Sequence, residues 1–200
     1  MPSQLFDADV LIIGAGPSGL ALATELDLRG HSCILVERNE RTGVQPRAKT
    51  TNVRTMTQMR RWGLAAEVRA RRPLPDDFPR RVSFQTSLYR DPIHSFEDSF
   101  CASPVRRDAF PEHAEFIPQY VIEGILAAHV SAHPNCTLRM GCTLTGFAQD
   151  ETGVTATIEE QGAARRVRAR YIVGADGGRS FVRRSLGIGM QGRRDITRFV

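Results

Sequence analysis

Three glycines and one acid near the amino terminus have the residue types and the spacing of a phosphate-binding site. Gly14, Gly16 and Gly19 form the pattern G-x-G-x-x-G, and Glu37 follows at about the 20-residue spacing that ribose recognition requires. Gly14 permits a tight turn, Gly16 leaves room for a pyrophosphate, and Gly19 allows the following helix to pack closely. The four residues predict a site for a dinucleotide.

A second group of candidate residues lies far along the chain, in the stretch Asp176-Gly177-Gly178-Arg179-Ser180-Phe181-Val182-Arg183. Asp176 follows a predicted strand and precedes a Gly-Gly turn, so its carboxylate can orient a loop against a cofactor. Arg183 carries a permanently charged fork of donors that suits a phosphate. Because Asp-Gly is also common in ordinary turns, turn chemistry alone is an alternative explanation for Asp176.

The glycine pattern requires a strand, a helix and a second strand to position it. Val10 to Ile13 form an apolar run without polar alternation, as expected of a strand that is buried on both faces. Leu20, Ala23 and Leu26 continue as one apolar helical face, and a second apolar run ends at Glu37. This order predicts a βαβ unit whose helix directs its free N–H groups at a pyrophosphate.

The rest of the chain alternates helical and strand-like segments. Asn52 is expected to cap a helix that ends at Arg61, and further helices are predicted over 64–71, 119–132 and 181–186. The alternation of Val82, Phe84, Thr86 and Leu88 predicts a strand. Residues 73–118 hold most of the prolines and lack helical periodicity, so we expect an inserted, β-rich, substrate-facing segment.

Charge, apolar runs and cysteine spacing limit the partners and the location that the sequence predicts. The net charge of +5 comes almost entirely from arginines, which are scattered in short pairs rather than clustered with aromatic residues. This favours a solvated basic surface, with attraction of anionic cofactors as the functional alternative, and no nucleic-acid partner. The sequence shows no membrane span and no signal peptide, which predicts a cytoplasmic location. Metal-ligand spacing is also absent, and the four cysteines are expected to be free thiols.

Three separated signatures give the chain a family resemblance. They are the glycine pattern with Glu37; the pair formed by Pro46-Arg47-Ala48 and Ile117-Pro118-Gln119-Tyr120; and the stretch from Asp176 to Arg183, which has the form D-G-x-x-S-x-x-R. Together they resemble the N-terminal part of the class A FAD-dependent monooxygenases, the aromatic-ring hydroxylases related to para-hydroxybenzoate hydroxylase and phenol hydroxylase.

The resemblance implies a fold and a set of cofactor contacts. The fold would be α/β, a Rossmann-like FAD-binding domain of the glutathione-reductase type over residues 1–188, with 73–118 inserted and 189–200 starting a truncated substrate domain. Glu37 would hold the adenosine ribose, and Arg47 and Gln119 would contact FAD near the ribityl and pyrophosphate groups. The full set of implied cofactor-binding residues is Gly14, Gly16, Ser18, Gly19, Glu37, Arg38, Arg47, Gln119, Asp176, Gly177 and Arg183.

The resemblance also implies a reaction. NADPH or NADH would reduce FAD, and O₂ would then supply a hydroxyl group for an electron-rich aromatic substrate, with the cofactor carrying the chemistry. No catalytic residue is assigned; His94, His113 and Tyr89 are expected to be structural or exposed, and the oligomeric state stays open. A flavin-dependent halogenase, a geranylgeranyl-reductase-like flavoprotein and a non-catalytic FAD-binding fragment are the alternatives. Because the family's later Gly-Asp motif is absent, an incomplete chain is expected.

Overall fold

The computed structural model describes residues 6–40, 43, 47–105 and 107–192. The chain divides into two compact units, one formed by Met1–Glu40 with His133–Val200 and the other by Arg41–Ala132. The first unit is therefore discontinuous in sequence, and the segment 73–118 lies within the second. The division of the chain into domains at residues 188 and 189 stays a proposal.

The elements follow one another in an alternating order. The strands of the described residues are β1 (Ala8–Ile13), β2 (Cys33–Glu37), β3 (Thr50–Thr51), β4 (Val82–Phe84), β5 (His94–Phe96), β6 (Glu115–Phe116), β7 (Cys136–Met140), β8 (Cys142–Gln149), β9 (Val154–Glu160) and β10 (Ala163–Gly174). The helices are α1 (Pro17–Leu28), α2 (Val53–Arg61), α3 (Ala65–Ala70), α4 (Gln119–Ala132) and α5 (Phe181–Ser185), with a short 3₁₀ turn at Ser99–Cys101. None of the helices in the described ranges has the length and apolar character that crossing a bilayer requires.

The first unit is built on a six-stranded sheet in the order β7-β2-β1-β10-β9-β8. Strands β7, β2, β1 and β10 run parallel, whereas β9 and β8 continue from β10 as an antiparallel meander. The predicted βαβ unit is confirmed, because β1 and β2 are adjacent and parallel with α1 between them in sequence. A parallel pair of this kind needs both faces covered, which explains the unbroken apolar runs.

The core of this unit lies largely on one face of the sheet. Alternate residues of β1 and β2 pack there with side chains from the meander and from α5, and the cluster includes Leu11, Ile13, Ile34, Val36, Leu144, Ile158, Val167 and Val182. The opposite face of β2 and β7 carries α1, since the Sγ atom of Cys136 lies 3.5 Å from the carbonyl oxygen of Ala23. Fully burying a Leu, Ile or Val side chain contributes about 1.5–3 kcal/mol, so this cluster is a major stabilising element of the sheet.

The described residues of the second unit form three helices and two small antiparallel strand pairs. Asn52 caps α2 as predicted, because its Oδ1 atom accepts a hydrogen bond from the Thr55 N–H at 2.9 Å. Strand β3 pairs with β6, and β4 pairs with β5. The prediction of helix 119–132 is confirmed by α4, whose buried residues repeat at helical spacing.

Two strand predictions need correction. The alternation through Leu88 predicted a longer strand, but β4 ends at Phe84 and Leu88 is 88% exposed in the loop before β5. Its partner β5 pairs with three residues only, so the alternation continues beyond the ladder. Conversely, the sequence pattern predicts a strand over 167–173, but β10 begins earlier, at Ala163, because Arg165 and Arg166 pair with β9 in the hairpin.

Candidate cofactor-binding site

The register of the parallel strands places three loops at one edge of the sheet. Ile13 is level with Val36 of β2 on one side and with Gly174 of β10 on the other. The Gly14 N–H donates to the Val36 carbonyl at 2.8 Å, and the Ala175 N–H donates to the Ile13 carbonyl at 2.7 Å. The glycine turn, the end of β2 and the loop after β10 therefore meet where α/β sheets bind their ligands, at the carboxyl ends of the strands.

Gly14 and Gly19 are glycines because neighbouring backbone atoms leave no room for a side chain. Gly14 has φ +105°, and a Cβ atom there would lie 2.5 Å from the Ala175 carbonyl oxygen. A Cβ atom on Gly19 would lie 1.9 Å from the Gly14 carbonyl oxygen. These two positions are required by the close approach of α1, the turn and the β10 loop to one another.

Gly16 differs from the other two glycines. Its φ of −73° and ψ of −178° are open to any residue, and a Cβ atom there would meet nothing within 4 Å. It is also the N-cap of α1, and no side chain among the described residues caps this end of the helix. The fold itself does not require glycine at this position, so the space beside it is available for a ligand that approaches the helix N-terminus.

Glu37 connects β2 to the glycine turn. Its Oε2 atom accepts a hydrogen bond from the Ala15 N–H at 2.9 Å, and its Oε1 atom accepts from the backbone N–H of Asn39 at 3.0 Å and from the Asn39 side chain at 2.5 Å. An ionised carboxylate has about four acceptor positions, so one remains for a hydroxyl donor. Glu37, which the motif spacing predicted as the ribose-binding acid, is thus held beside the glycine turn.

Asp176 organises the loop that follows β10. Its Oδ2 atom accepts from the N–H groups of Phe181 and Val182 at 2.6 and 3.2 Å, and its Oδ1 atom accepts from the Ser180 hydroxyl at 2.5 Å. Burial opposes ionisation, but these hydrogen bonds outweigh it and hold the pKa of Asp176 below its ordinary value of 3.8. A capping role for Asp176 is therefore established, and its contact with a cofactor stays a prediction.

The other residues predicted in this unit lie in the same loops. Ser180 caps α5 by accepting from the Arg183 N–H at 2.9 Å, and Arg183 donates through Nη1 to the Ile188 carbonyl at 2.8 Å. The Arg183 Nε atom is buried without a hydrogen-bond partner among the described residues. Gly177 adopts φ +77°, as its turn requires. Ser18 and Arg38 are both exposed, the first in the first turn of α1 and the second directly after Glu37.

Arg47 and Gln119 belong to the second unit, where backbone pairing brings their segments together. The Gln119 N–H donates to the Ala48 carbonyl at 2.9 Å, and the Gln119 side chain donates to Glu123 Oε1 at 2.7 Å. The antiparallel pairing of β3 with β6 extends this connection. Two residues that are distant in sequence thus lie on adjoining segments, with Arg47 exposed.

Sequence reasoning missed the acidic pair that supports this second region. Glu115, in β6, is 2% exposed, and its Oε1 atom lies 3.2 Å from Arg69 Nε and 3.4 Å from His113 Nδ1. Glu112 is also buried and pairs with Arg69 as well. Charged residues in a proline-rich segment give no local sign of burial, because their arginine partner comes from a helix far away in sequence.

His94, His113 and Tyr89 were predicted from the sequence to be structural or exposed. His113 contacts Glu115, His94 stacks edge-on against Phe96 at 4.7 Å between ring centroids, and Tyr89 is 98% exposed. Within the described ranges, no group of three or more His, Cys, Asp or Glu residues has the arrangement of a metal site. The contacts described at the candidate site are of the kind that bind and orient a ligand.

Comparison with known proteins agrees with this geometry. Residues 7–200 match the family described as FAD binding domain. Over 97% of this chain, the sequence is 36% identical to aklavinone 12-hydroxylase DnrF of Streptomyces peucetius. Over 98% of this chain, it is 33% identical to 2,4-dichlorophenol 6-monooxygenase of Delftia acidovorans. It spans 40% and 34% of the lengths of these relatives.

Solved structures give the same result. The structure of aklavinone-11 hydroxylase with FAD and aklavinone matches with a TM-score of 0.81 and 34% identity, covering 94% of this chain and 36% of that one. The flavin-dependent monooxygenase PieE in complex with FAD and substrate matches with a TM-score of 0.80 and 31% identity, covering 93% and 33%. The expected Rossmann-like FAD-binding fold and the resemblance to the N-terminal portion of class A monooxygenases are both confirmed, and the chain belongs to the FAD binding domain family.

Proposed function

We propose that the chain is the FAD-binding portion of an NAD(P)H-dependent monooxygenase that hydroxylates an aromatic, phenolic or polyketide-like substrate. The observation that carries the proposal is the shared edge at which the glycine turn, Glu37 and the Asp176 loop meet. The similarity to aklavinone and dichlorophenol hydroxylases supports the reaction class. We further propose that the protein acts in the cytoplasm and that O₂ is its second substrate.

The residues of the first unit fit a dinucleotide. The space beside Gly16 and the uncapped N-terminus of α1 offer a position for the pyrophosphate, where backbone N–H groups and the helix dipole stabilise negative charge. Ser18, exposed in the first turn of α1, would add a hydroxyl donor. Glu37 would accept a ribose hydroxyl, and Arg38 next to it would add positive potential near the adenosine.

Two further segments carry residues that the family resemblance assigns to the cofactor. Arg47 would bind a phosphate through its fork of donors, and Gln119 would donate or accept beside it. In the first unit, the Asp176 cap holds Gly177 and the start of α5 in one conformation. The buried, unpaired Nε atom of Arg183 is a donor that an anionic group could satisfy.

These contacts separate the role of the cofactor from the role of the protein. When bound, FAD supplies the redox and oxygen chemistry. The chain supplies binding through the glycine turn, orientation through Glu37 and the capped loop, and positive potential through its arginines. No proton transfer is assigned to a side chain; His94 stacks against Phe96, and His113 Nδ1 lies 3.4 Å from Glu115 Oε1.

Titration of the purified chain with FAD tests the binding part of the proposal. We expect saturable quenching of flavin fluorescence and loss of that quenching in Gly16→Val, while circular dichroism of the variant stays unchanged. A chain that folds and takes up no FAD would contradict the proposal. Gly16→Ala is the matched comparison, because it adds only one methyl group to the same space. If the effect is steric, this variant should lose less FAD affinity than Gly16→Val.

Turnover is tested separately, since this chain spans 40% of the length of its hydroxylase relative. NADPH or NADH oxidation that a phenol stimulates, with a hydroxylated product, supports the monooxygenase. A product that requires chloride would instead support a halogenase. FAD binding without any oxidation of NAD(P)H would support the alternative of a non-catalytic FAD-binding fragment.

A further inference from the structure

Two cysteines face each other at the beginning of neighbouring strands. Cys33 is the first residue of β2, Cys136 is the first residue of β7, and the two are direct partners in the parallel register. Their Sγ atoms lie 3.0 Å apart, although 103 residues separate them in sequence. Both thiols are free, and neither belongs to the cofactor-binding edge at the other end of the strands.

The backbone geometry at this pair is compatible with a disulfide. Paired strands lie about 4.8 Å apart, and disulfides join Cα atoms that are roughly 4.4–6.8 Å apart. Because the two side chains already point at each other, a covalent bond requires only a further approach of the sulfur atoms. A rotation of the side chains is sufficient for this, without rearrangement of the sheet.

The environment distinguishes the two thiols chemically. The Cys33 and Cys136 thiols share one hydrogen bond, and the Cys136 S–H group also lies 3.5 Å from the Ala23 carbonyl oxygen, to which it can donate. The contact with Cys33 lowers the pKa of the Cys136 thiol, against the opposing effects of burial and of Asp27, and the same contact raises the pKa of Cys33. Since the thiolate is the nucleophile, this direction favours Cys136 as the attacking thiol.

Position in the sheet also favours Cys136 as the attacking thiol. Strand β7 is the edge strand, whereas β2 is enclosed between β7 and β1. Cys136 is 8% exposed and follows the exposed residues Pro134 and Asn135, whereas Cys33 is 1% exposed. A brief opening at the start of an edge strand is enough to expose this thiol to a small oxidant.

We propose that Cys33 and Cys136 form an oxidisable dithiol site that takes hydroperoxides as its substrate class and forms a reversible disulfide between β2 and β7. The Cys136 thiolate attacks the terminal oxygen of the hydroperoxide, the O–O bond breaks, and an alcohol leaves with one proton. The resulting sulfenic acid is attacked by Cys33, and water is released as the S–S bond forms. Two thiols thus lose two electrons and two protons, and the hydroperoxide is reduced.

A disulfide between Cys33 and Cys136 would affect the stability of the protein because of where the two residues lie along the chain. The second unit, Arg41–Ala132, is the sequence between β2 and β7, so a bond between Cys33 and Cys136 closes a loop that contains the whole unit. A closed loop of this length restricts the unfolded chain strongly. Oxidation is therefore expected to raise the thermal unfolding midpoint, and reduction is expected to restore it.

Peptide mapping after oxidation tests the proposal. The full chain is treated with hydrogen peroxide, the remaining thiols are alkylated, and the digest is analysed by mass spectrometry. We expect one cross-linked peptide pair joining Cys33 to Cys136, lighter by two hydrogens than the separate peptides, which disappears with dithiothreitol. Cys142→Ala, which removes a different buried thiol, is expected to form the same cross-link, and Cys136→Ala is expected to form none.

Two results would overturn the proposal. In the first, Cys101 is oxidised while Cys33 and Cys136 both stay open to alkylation. In the second, Cys136 proceeds to a sulfinic acid without any cross-link. If Cys136→Ala does not fold, the wild-type chain alone decides: a midpoint that rises on oxidation and returns on reduction supports the disulfide, and an unchanged midpoint contradicts it.

Discussion

The Oε2 atom of Glu37 accepts a hydrogen bond from the Ala15 N–H at 2.9 Å, which ties the end of one strand to the turn that follows its neighbour. The acid therefore fixes the glycine turn from inside the protein, and one of its acceptor positions stays open. If that position accepts the proposed ribose hydroxyl, cofactor binding and the geometry of the turn depend on each other.

Replacement of Glu37 separates charge from hydrogen-bonding capacity. Glu37→Gln keeps one carbonyl acceptor but loses the charge, and hydrogen bonds to charged groups contribute about 1.5–3 kcal/mol. We expect roughly tenfold to hundredfold weaker FAD binding, because about 1.4 kcal/mol corresponds to a factor of ten. Fluorescence titration measures this. Asn39→Ala, which removes a donor to Glu37 and leaves the acid in place, should weaken binding much less; equal losses would contradict the ribose contact.

Gly16 and Gly19 allow a matched comparison. A side chain at Gly16 would enter the open space proposed for the ligand, whereas a side chain at Gly19 would collide with the protein backbone. Gly16→Ala meets no protein atom within 4 Å, so we expect an unchanged unfolding free energy and weakened FAD binding. Gly19→Ala places a Cβ atom 1.9 Å from the Gly14 carbonyl oxygen, so we expect a destabilisation of about 1–3 kcal/mol or more. Chemical denaturation and FAD titration of both variants check this. A destabilised Gly16→Ala variant with full FAD affinity would reverse the interpretation.

Asp176 gives the stability a defined dependence on pH. Its folded pKa lies below 3.8, so its stabilising effect is fully present above that pH and is lost as pH falls through the folded pKa. Asp176→Asn should reduce the unfolding free energy at neutral pH by about 1 kcal/mol, the usual effect of a lost cap. The difference from wild type should shrink below pH 3.8. Denaturant titrations at several pH values measure it, and a difference that is independent of pH would contradict the assignment.

Glu115 and Glu67 provide a comparison of a buried and an exposed ion pair. Glu115→Ala removes a buried carboxylate from Arg69, which keeps Glu112, and from Arg72, which keeps Asp76. We therefore expect a cost of about 1–3 kcal/mol, below the about 3–5 kcal/mol of a buried charge left without any partner. Glu67→Ala removes an exposed pair with Arg71, one turn apart on the same helix, and should cost about 0.5 kcal/mol or less. Thermal or denaturant unfolding distinguishes the two. Similar effects of both replacements would show that the Glu115 contacts do not support the second unit.

Local patterns predicted the elements that carry the site. The apolar runs of β1 and β2, the N-cap Asn52 and the helical face of α4 were all readable, because each depends on interactions within a few residues. The motif spacing also predicted Gly14, Gly16, Gly19 and Glu37 as site residues, since all four lie within one βαβ unit. The short strands β3 and β6 were missed, because two-residue ladders leave no periodic pattern.

The amino-acid sequence by itself predicted that a strand, a glycine turn and a helix form a nucleotide-binding unit, and that the distant stretch from Asp176 to Arg183 belongs with it. Tertiary structure decided how they meet: the register of Ile13 with Gly174 brings the Asp176 loop against Gly14, and the register of β2 with β7 brings Cys33 against Cys136. Burial of Glu115 was likewise a tertiary outcome. The physical reason is that strand register and ion-pair partners arise from packing between segments that are far apart in sequence, whereas turns, caps and apolar periodicity arise from neighbouring residues.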